Sequence, residues 1–219
     1  MKILSWDVGI YNLSYCILEK NENEDPKIIG WDIVNLVDNE IMKKDRNLIF
    51  ENIPRKLNEI PELLNVDIVI IENQPCLKNP QMKSIQMILY SYFLILGKVI
   101  GSEKTTSYID KIEFCSASNK LKIYDGPEII LEEKKSRKKI NNDINDDNII
   151  KKSSSVKYAD KKKLAIEHAK YYLEKNIDYK VFFNEHKKKD DLSDSFLQGL
   201  YYINKLTKVK LNSTLLTSI

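Results

Sequence analysis

Residues 67–72, DIVIIE, constrain the fold of this chain more than any other stretch. The run is apolar without alternation, so a strand made from it has no face to give to water and must be covered on both sides. That is the pattern of a central strand with helices packed above and below it. The run ends abruptly in Glu72, which sets a charge at the mouth of a buried element.

The flanking sequence supplies partners for such a strand. Residues 2–7 (KILSWD) read as a short strand that runs into the turn VGIYN, followed by a second strand over 13–19. An acidic loop, NENEDP, separates these from a third strand over 27–37, and strand–turn–strand at this spacing predicts an antiparallel meander. A helix is expected over 40–60, weakened in its second half by Pro54. Residues 81–100 are helical in pattern and 112–116 read as a further strand. A helix over 158–173 has Leu164, Ile166, Ala169 and Leu173 on its apolar face. A last one spans about 190–206, with Leu192, Phe196, Leu200 and Ile203 in one stripe. Residues 124–157 are dense in Lys, Asp, Glu and Asn without periodic apolar positions, and are expected to form a charged, mobile surface insertion. The order of elements gives an α/β fold: a mixed sheet flanked by helices, in one domain over 1–219.

Acidic residues recur where these elements begin or end. Asp7 closes the first strand, Glu72 closes the central one, and Asp190, Asp191 and Asp194 open the last helix. Each has an ordinary explanation alone, as a strand-end turn, a cap, or an acid favoured by the helix dipole. Together they are hard to obtain from capping. A carboxylate at the end of a buried strand is costly unless paired, and no Arg lies near these in sequence. A divalent cation with oxygen ligands, Mg²⁺ or Mn²⁺, is the partner that suits them. Asp191 and Asp194 are three residues apart and project from neighbouring positions on one helix face.

Composition narrows the partners. The 219 residues hold 35 basic and 32 acidic side chains, a net charge of only +3. The balance is uneven along the chain, with 12 basic and 16 acidic residues in 1–110 against 23 and 16 in 111–219. A polyanionic partner therefore belongs with the second half. Apolar content of 42% is too high for a disordered chain, and no apolar run is long enough to span a bilayer. No secretory signal is read at the N-terminus. Three widely spaced cysteines argue against a disulfide framework and for a reducing, intracellular compartment. A cytoplasmic viral replication site, an organelle and the nucleus are equally compatible with that.

The segments LSWDVGIYNLSYCIL (4–18), IIENQPCLKNPQMKSIQMILYSYF (70–93), FCSASNK (114–120), KYADKKKLAIEHAKYYL (157–173) and KKDDLSDSFLQGLYYI (188–203) occur in this order. In them the chain resembles the RuvC-like Holliday-junction resolvases of the ribonuclease-H-like superfamily, in particular their poxvirus-type and mitochondrial branch. The resemblance implies a ribonuclease-H-like sheet, with the antiparallel meander followed by parallel strands. It implies a structure-specific endonuclease that nicks paired strands of four-way DNA junctions in recombination, repair or concatemer resolution. Asp7, Glu72, Asp191 and Asp194 would be the catalytic carboxylates, holding two Mg²⁺ ions for which Mn²⁺ substitutes. Asp190 would stand beside them as a cap or support. Lys120 resembles the active-site lysine of the family, placed to meet the scissile phosphate.

An acidic centre repels DNA, so cations must surround it. Lys157, Lys161, Lys162 and Lys163 start one helix and Lys187, Lys188 and Lys189 precede the last, and both runs are candidate phosphate contacts. His168 is expected in packing or at the surface, His186 has no assigned role, and Tyr11 and Tyr15 are expected in the meander. The helix after Glu72 is apolar on more than one face, which suits burial on two sides or a subunit interface. A junction offers two equivalent strands, and a twofold homodimer matches that symmetry.

Three other readings compete. A related nuclease of the superfamily would share fold and metals and differ in acting on flaps or hybrids. An actin-like ATPase would need a second glycine-rich phosphate loop, and six scattered glycines do not supply one, so no nucleotide cofactor is expected. A non-catalytic junction-binding protein would have no use for four carboxylates.

Overall fold

The computed structural model describes residues 1–39, 42–101, 108–129 and 158–217. Five strands form one sheet: β1 (Lys2–Val8), β2 (Asn12–Glu19), β3 (Lys27–Asn35), β4 (Ile68–Glu72) and β5 (Lys111–Cys115). Their order across the sheet is β3-β2-β1-β4-β5. β1 and β2 pair antiparallel, as do β2 and β3, whereas β4 runs parallel to both β1 and β5. The apolar run thus lies between two neighbours, with all five of its residues buried.

Alternation along the strands divides the core in two. Leu4, Trp6, Val8, Leu13, Tyr15, Ile17, Val69 and Ile71 face one way. They pack against α1 (Arg46–Asn58) and α2 (Pro80–Tyr92). Ile3, Cys16, Leu18, Ile68 and Ile70 face the other way. Those are covered by α3 (Tyr158–Leu173), α4 (Ile177–Glu185) and α5 (Lys189–Thr217).

Several boundaries differ from the sequence reading. α1 starts at Arg46, because Asp45 caps it by accepting from the backbone N–H groups of Asn47 and Leu48. Pro54 is accommodated inside it. The helix expected over 81–100 changes pitch after Tyr92 and continues as a π-helical segment, Phe93–Val99. There Gly97 lets Ile109 approach so closely that a Cβ would sit 2.2 Å from its Cδ1. α4 was not anticipated, and α5 runs 29 residues, well past 206. Most of the charged insertion lies outside the described residues, as does Lys157. Cys16 and Cys115 are buried, Cys76 is exposed, and all three are free thiols. Among the described residues no helix is long and apolar enough to cross a membrane.

Candidate active site

The parallel pairing of β1 and β4 builds the site. Their register matches Ser5 with Ile70 and Trp6 with Ile71, so one further step sets Asp7 beside Glu72. Period-two alternation puts both side chains on the α5 face, beyond Ser5 and Ile70 respectively. β4 pairs in turn with β5, where Glu72 stands opposite Cys115. The 3₁₀ segment Ala117–Ile123 then carries Lys120 back over the strand ends. α5 closes the other side, with its first two turns bringing in Asp191 and Asp194.

Lys120 sits at the centre of this cluster. Its Nζ lies 2.8 Å from Asp7 Oδ1, 3.0 Å from Glu72 Oε1 and 2.9 Å from Asp194 Oδ2. It is only 5% exposed, a depth that lysine reaches only when paired. The structure lodges the ammonium inside the carboxylates. Asp191 stands one helical turn before Asp194 at the rim, 3.5 Å from Lys188 Nζ. Asp190 pairs with Lys162 of α3 and joins α5 to that helix.

Negative charge exceeds positive charge here, and the proton affinities register it. Burial, then the nearby Asp7, pushes Glu72 up to about 8 against the pull of Lys120. Burial also pushes Asp194 up to about 6, with Lys120 opposing and Asp7 reinforcing. Asp191 is raised by burial and by Asp190 and Asp7. Asp190 is lowered, because its contact with Lys162 outweighs its burial. Desolvation works against the Lys120 ammonium, yet Asp7, Asp194 and Glu72 hold its pKa well above the ordinary lysine value.

Among the described residues no three His, Cys, Asp or Glu side chains are arranged, as they stand, to hold a metal ion. The ammonium occupies the middle of the cluster. The donor set nevertheless suits a hard divalent cation: every candidate ligand is a carboxylate oxygen, and the raised proton affinities of Glu72, Asp191 and Asp194 record a shortage of positive charge.

The lysines predicted to meet DNA divide into groups. Lys161 and Lys163 are exposed on α3, the latter 3.8 Å from Asp160, and Lys162 is engaged with Asp190. Lys187 and Lys188 are exposed and line a groove of about 450 Å³ with Asp32, Asn35, Phe182 and His186. Asn12, in the amide orientation that satisfies both its ends, accepts from Lys188 Nζ at 2.9 Å and joins this groove to the β1–β2 turn. Lys189 turns away and donates to the Asn184 and His186 carbonyls at the end of α4. His168 is buried and stacked on Tyr124 at 3.9 Å, and Tyr15 is buried against Trp6, in line with packing roles.

Gln74 went unassigned in the sequence. Its Nε2 donates to Glu72 Oε2 at 2.7 Å, while its own N–H donates to the buried Gln86 Oε1 at 2.8 Å. Glu72 is therefore held from both oxygens, by Lys120 and by Gln74. The only sequence signal was its place two residues after the acid, on the same alternation.

No protein-family model matches the chain. Protein L451 of Acanthamoeba polyphaga mimivirus is 34% identical over 166 residues, which cover 69% of this chain. The match covers 33% of L451, so this chain spans about a third of that relative's length. Among solved structures, the yeast mitochondrial Holliday junction resolvase Ydc2 superposes with a TM-score of 0.63 at 17% identity, over 99% of this chain and 85% of that one. The fowlpox virus resolvase in complex with Holliday junction DNA gives 0.55 at 21% identity, over 94% and 99%. The central strand, the meander and the helices on both faces therefore share the fold of the yeast mitochondrial and fowlpox virus Holliday junction resolvases.

Proposed function

We propose that the chain is a Holliday junction resolvase: a divalent-metal-dependent endodeoxyribonuclease that nicks paired strands of four-way DNA junctions. The observation that carries this reading is the convergence of Asp7, Glu72 and Asp194 on Lys120, with Asp191 at the rim, on the fold of such resolvases. Asp7, Glu72, Asp191 and Asp194 would hold two Mg²⁺ ions, with Mn²⁺ able to substitute. Bound there, the ions supply Lewis-acid stabilisation of the phosphodiester transition state and lower the pKa of the attacking water.

The chain's own residues do the rest. Gln74 fixes one Glu72 oxygen and leaves the other facing the cluster. Lys120 offers a buried ammonium that turns from the carboxylates to the scissile phosphate when DNA arrives. Lys187 and Lys188 on the groove, with Lys161 and Lys163 on α3, bind backbone phosphates and give affinity without base readout. A twofold dimer suits the substrate, and Met87, Ile95 and Val99 leave apolar surface exposed along α2 and its continuation.

The test is incubation with a synthetic four-way junction and Mg²⁺, beside flap, hybrid and linear duplex controls. Symmetrical paired nicks confined to the junction are expected. Equal cutting of flaps or hybrids would replace this reading with another ribonuclease-H-like nuclease, and no cutting of any substrate would remove it.

A further inference from the structure

The helix carrying Asp191 and Asp194 is fastened to the sheet by hydrogen bonds rather than by apolar contact alone. Trp31 Nε1, on β3, donates to the Leu192 carbonyl at 3.1 Å. Ser14 Oγ, on β2, lies 2.8 Å from Ser195 Oγ. Gln198 Nε2 donates to Ser5 Oγ and to the Trp6 carbonyl on β1, both at 3.1 Å. Three adjacent strands thus grip α5 at 192, 195 and 198, about 9 Å along its axis. The side chains of Ser5, Ser14, Ser195 and Gln198 are all buried. Gly199 brings the helix into range: a Cβ there would lie 2.7 Å from Leu18 Cδ1 and 3.3 Å from Ser5 Cβ.

Stability does not account for this seam. Gln198 Oε1 has no hydrogen-bond partner among the described residues, a desolvation cost that an apolar side chain of equal size avoids. Direction is what the polar groups add. Apolar packing fixes burial but tolerates sliding and rotation, and one residue of slip turns a helix by about 100°. The gripped positions flank the carboxylates: Leu192 follows Asp191, Ser195 follows Asp194, and Ser14 stands opposite Asp7 across the β1–β2 pair.

We propose that Ser14, Ser195 and Gln198 are positioning residues that fix where Asp191 and Asp194 stand relative to Asp7 and Glu72. This rests on the proposed metal-dependent reading of the site. The seam touches none of the reacting atoms and acts through the pose of α5.

Mn²⁺ titration of the free protein by calorimetry, together with thermal melting and junction cleavage, tests it in wild type, Ser14→Ala/Ser195→Ala and Gln198→Met. The double variant removes both hydroxyls and leaves neither unpaired, so it is expected to melt close to wild type. Met keeps the volume of Gln but leaves the buried Ser5 hydroxyl without its amide partner, so Gln198→Met is expected to melt somewhat lower and is compared at 25 °C, where it is folded. Mn²⁺ affinity should fall about tenfold in each, and kcat on junctions should fall with KM unchanged. Leu4→Ala, on the opposite face, should lower the melting temperature and leave Mn²⁺ affinity at 25 °C unchanged. Wild-type Mn²⁺ affinity in both seam variants would overturn the proposal while leaving the metal site standing. Absence of Mn²⁺ binding by wild type would overturn the metal reading, and this proposal with it.

Discussion

The two faces of the sheet are made from the same strands, residue by residue in alternation, yet they are built differently. Toward α1 and α2 the strands present Leu4, Trp6, Val8, Leu13, Tyr15, Val69 and Ile71, all apolar apart from a phenol and an indole. Toward α5 they present Ser5, Asp7, Ser14 and Glu72 among Ile3, Cys16 and Ile70. One face is closed mainly by apolar area, with Asn52 of α1 donating to the Leu36 carbonyl. The other accepts buried hydroxyls, an amide and carboxylates that one ammonium only partly balances. The difference shows which side of a single five-stranded sheet carries the buried polar groups.

The sharpest way to break the comparison is to change one residue on each face. Asp7→Asn should reduce cleavage in Mg²⁺ on the order of 10³-fold or more while junction binding survives, since it removes a proposed metal ligand. Leu4→Ala should do the reverse, costing about 2–5 kcal/mol of folding stability through the cavity it leaves, with turnover preserved at temperatures where the protein is folded. Denaturant titration beside a junction-nicking assay reads both. Retained cleavage in Asp7→Asn would remove that residue from the chemistry.

Lys120→Met tests the centre of the polar face. Losing one partner of a buried ionic cluster typically costs about 3–5 kcal/mol, and here three carboxylates are left facing one another. The metal-free variant should unfold earlier in urea, and acid or Mn²⁺ should restore much of the loss. A variant as stable as wild type at neutral pH without metal would mean that the ammonium does not balance those carboxylates.

The pH dependence follows from the same imbalance. Glu72 and Asp194 hold their protons more tightly in the folded protein than in the unfolded chain. Their contribution is fully present below the ordinary carboxylate range. It is lost as pH rises through about 6 for Asp194 and about 8 for Glu72. Urea midpoints of metal-free protein at pH 5, 7 and 9 should therefore fall in that order, and added Mn²⁺ should flatten the trend. The smallest effect is expected from Lys187→Ala at the groove. It should lower the slope of log binding against log salt by about 0.9, the value of one phosphate contact, without changing junction preference.

Much of the polar face was legible because its elements announce themselves locally. An unbroken apolar run ending in Glu72, a short strand ending in Asp7 and an apolar stripe behind Asp191 and Asp194 are each visible within a dozen residues. Their adjacency came from the resemblance, and the β1–β4 register supplies its geometry. Lys120 was recognised, but its burial was not legible, because a lysine goes inside only when partners distant in sequence meet it. α4 escaped notice for a similar reason. It has nine residues, and Phe182 and Phe183 gain their meaning only against Trp31, from which their ring centroids lie 5.8 and 5.4 Å. Ser14, Ser195 and Gln198 carry no local signal, since small polar residues in a strand or helix read as surface until the opposing element is known.

On the proposed metal-dependent reading, the ammonium at the centre of the carboxylates would also make the site a filter by valence. A sodium or potassium ion entering there brings no more charge than Lys120 already provides, and it must displace a group tethered to the chain. A divalent ion doubles the charge offered to the same oxygens. On the proposed function, monovalent salt would weaken phosphate binding at the exposed lysines without competing for the carboxylates. The two kinds of cation would then act on separate groups of side chains.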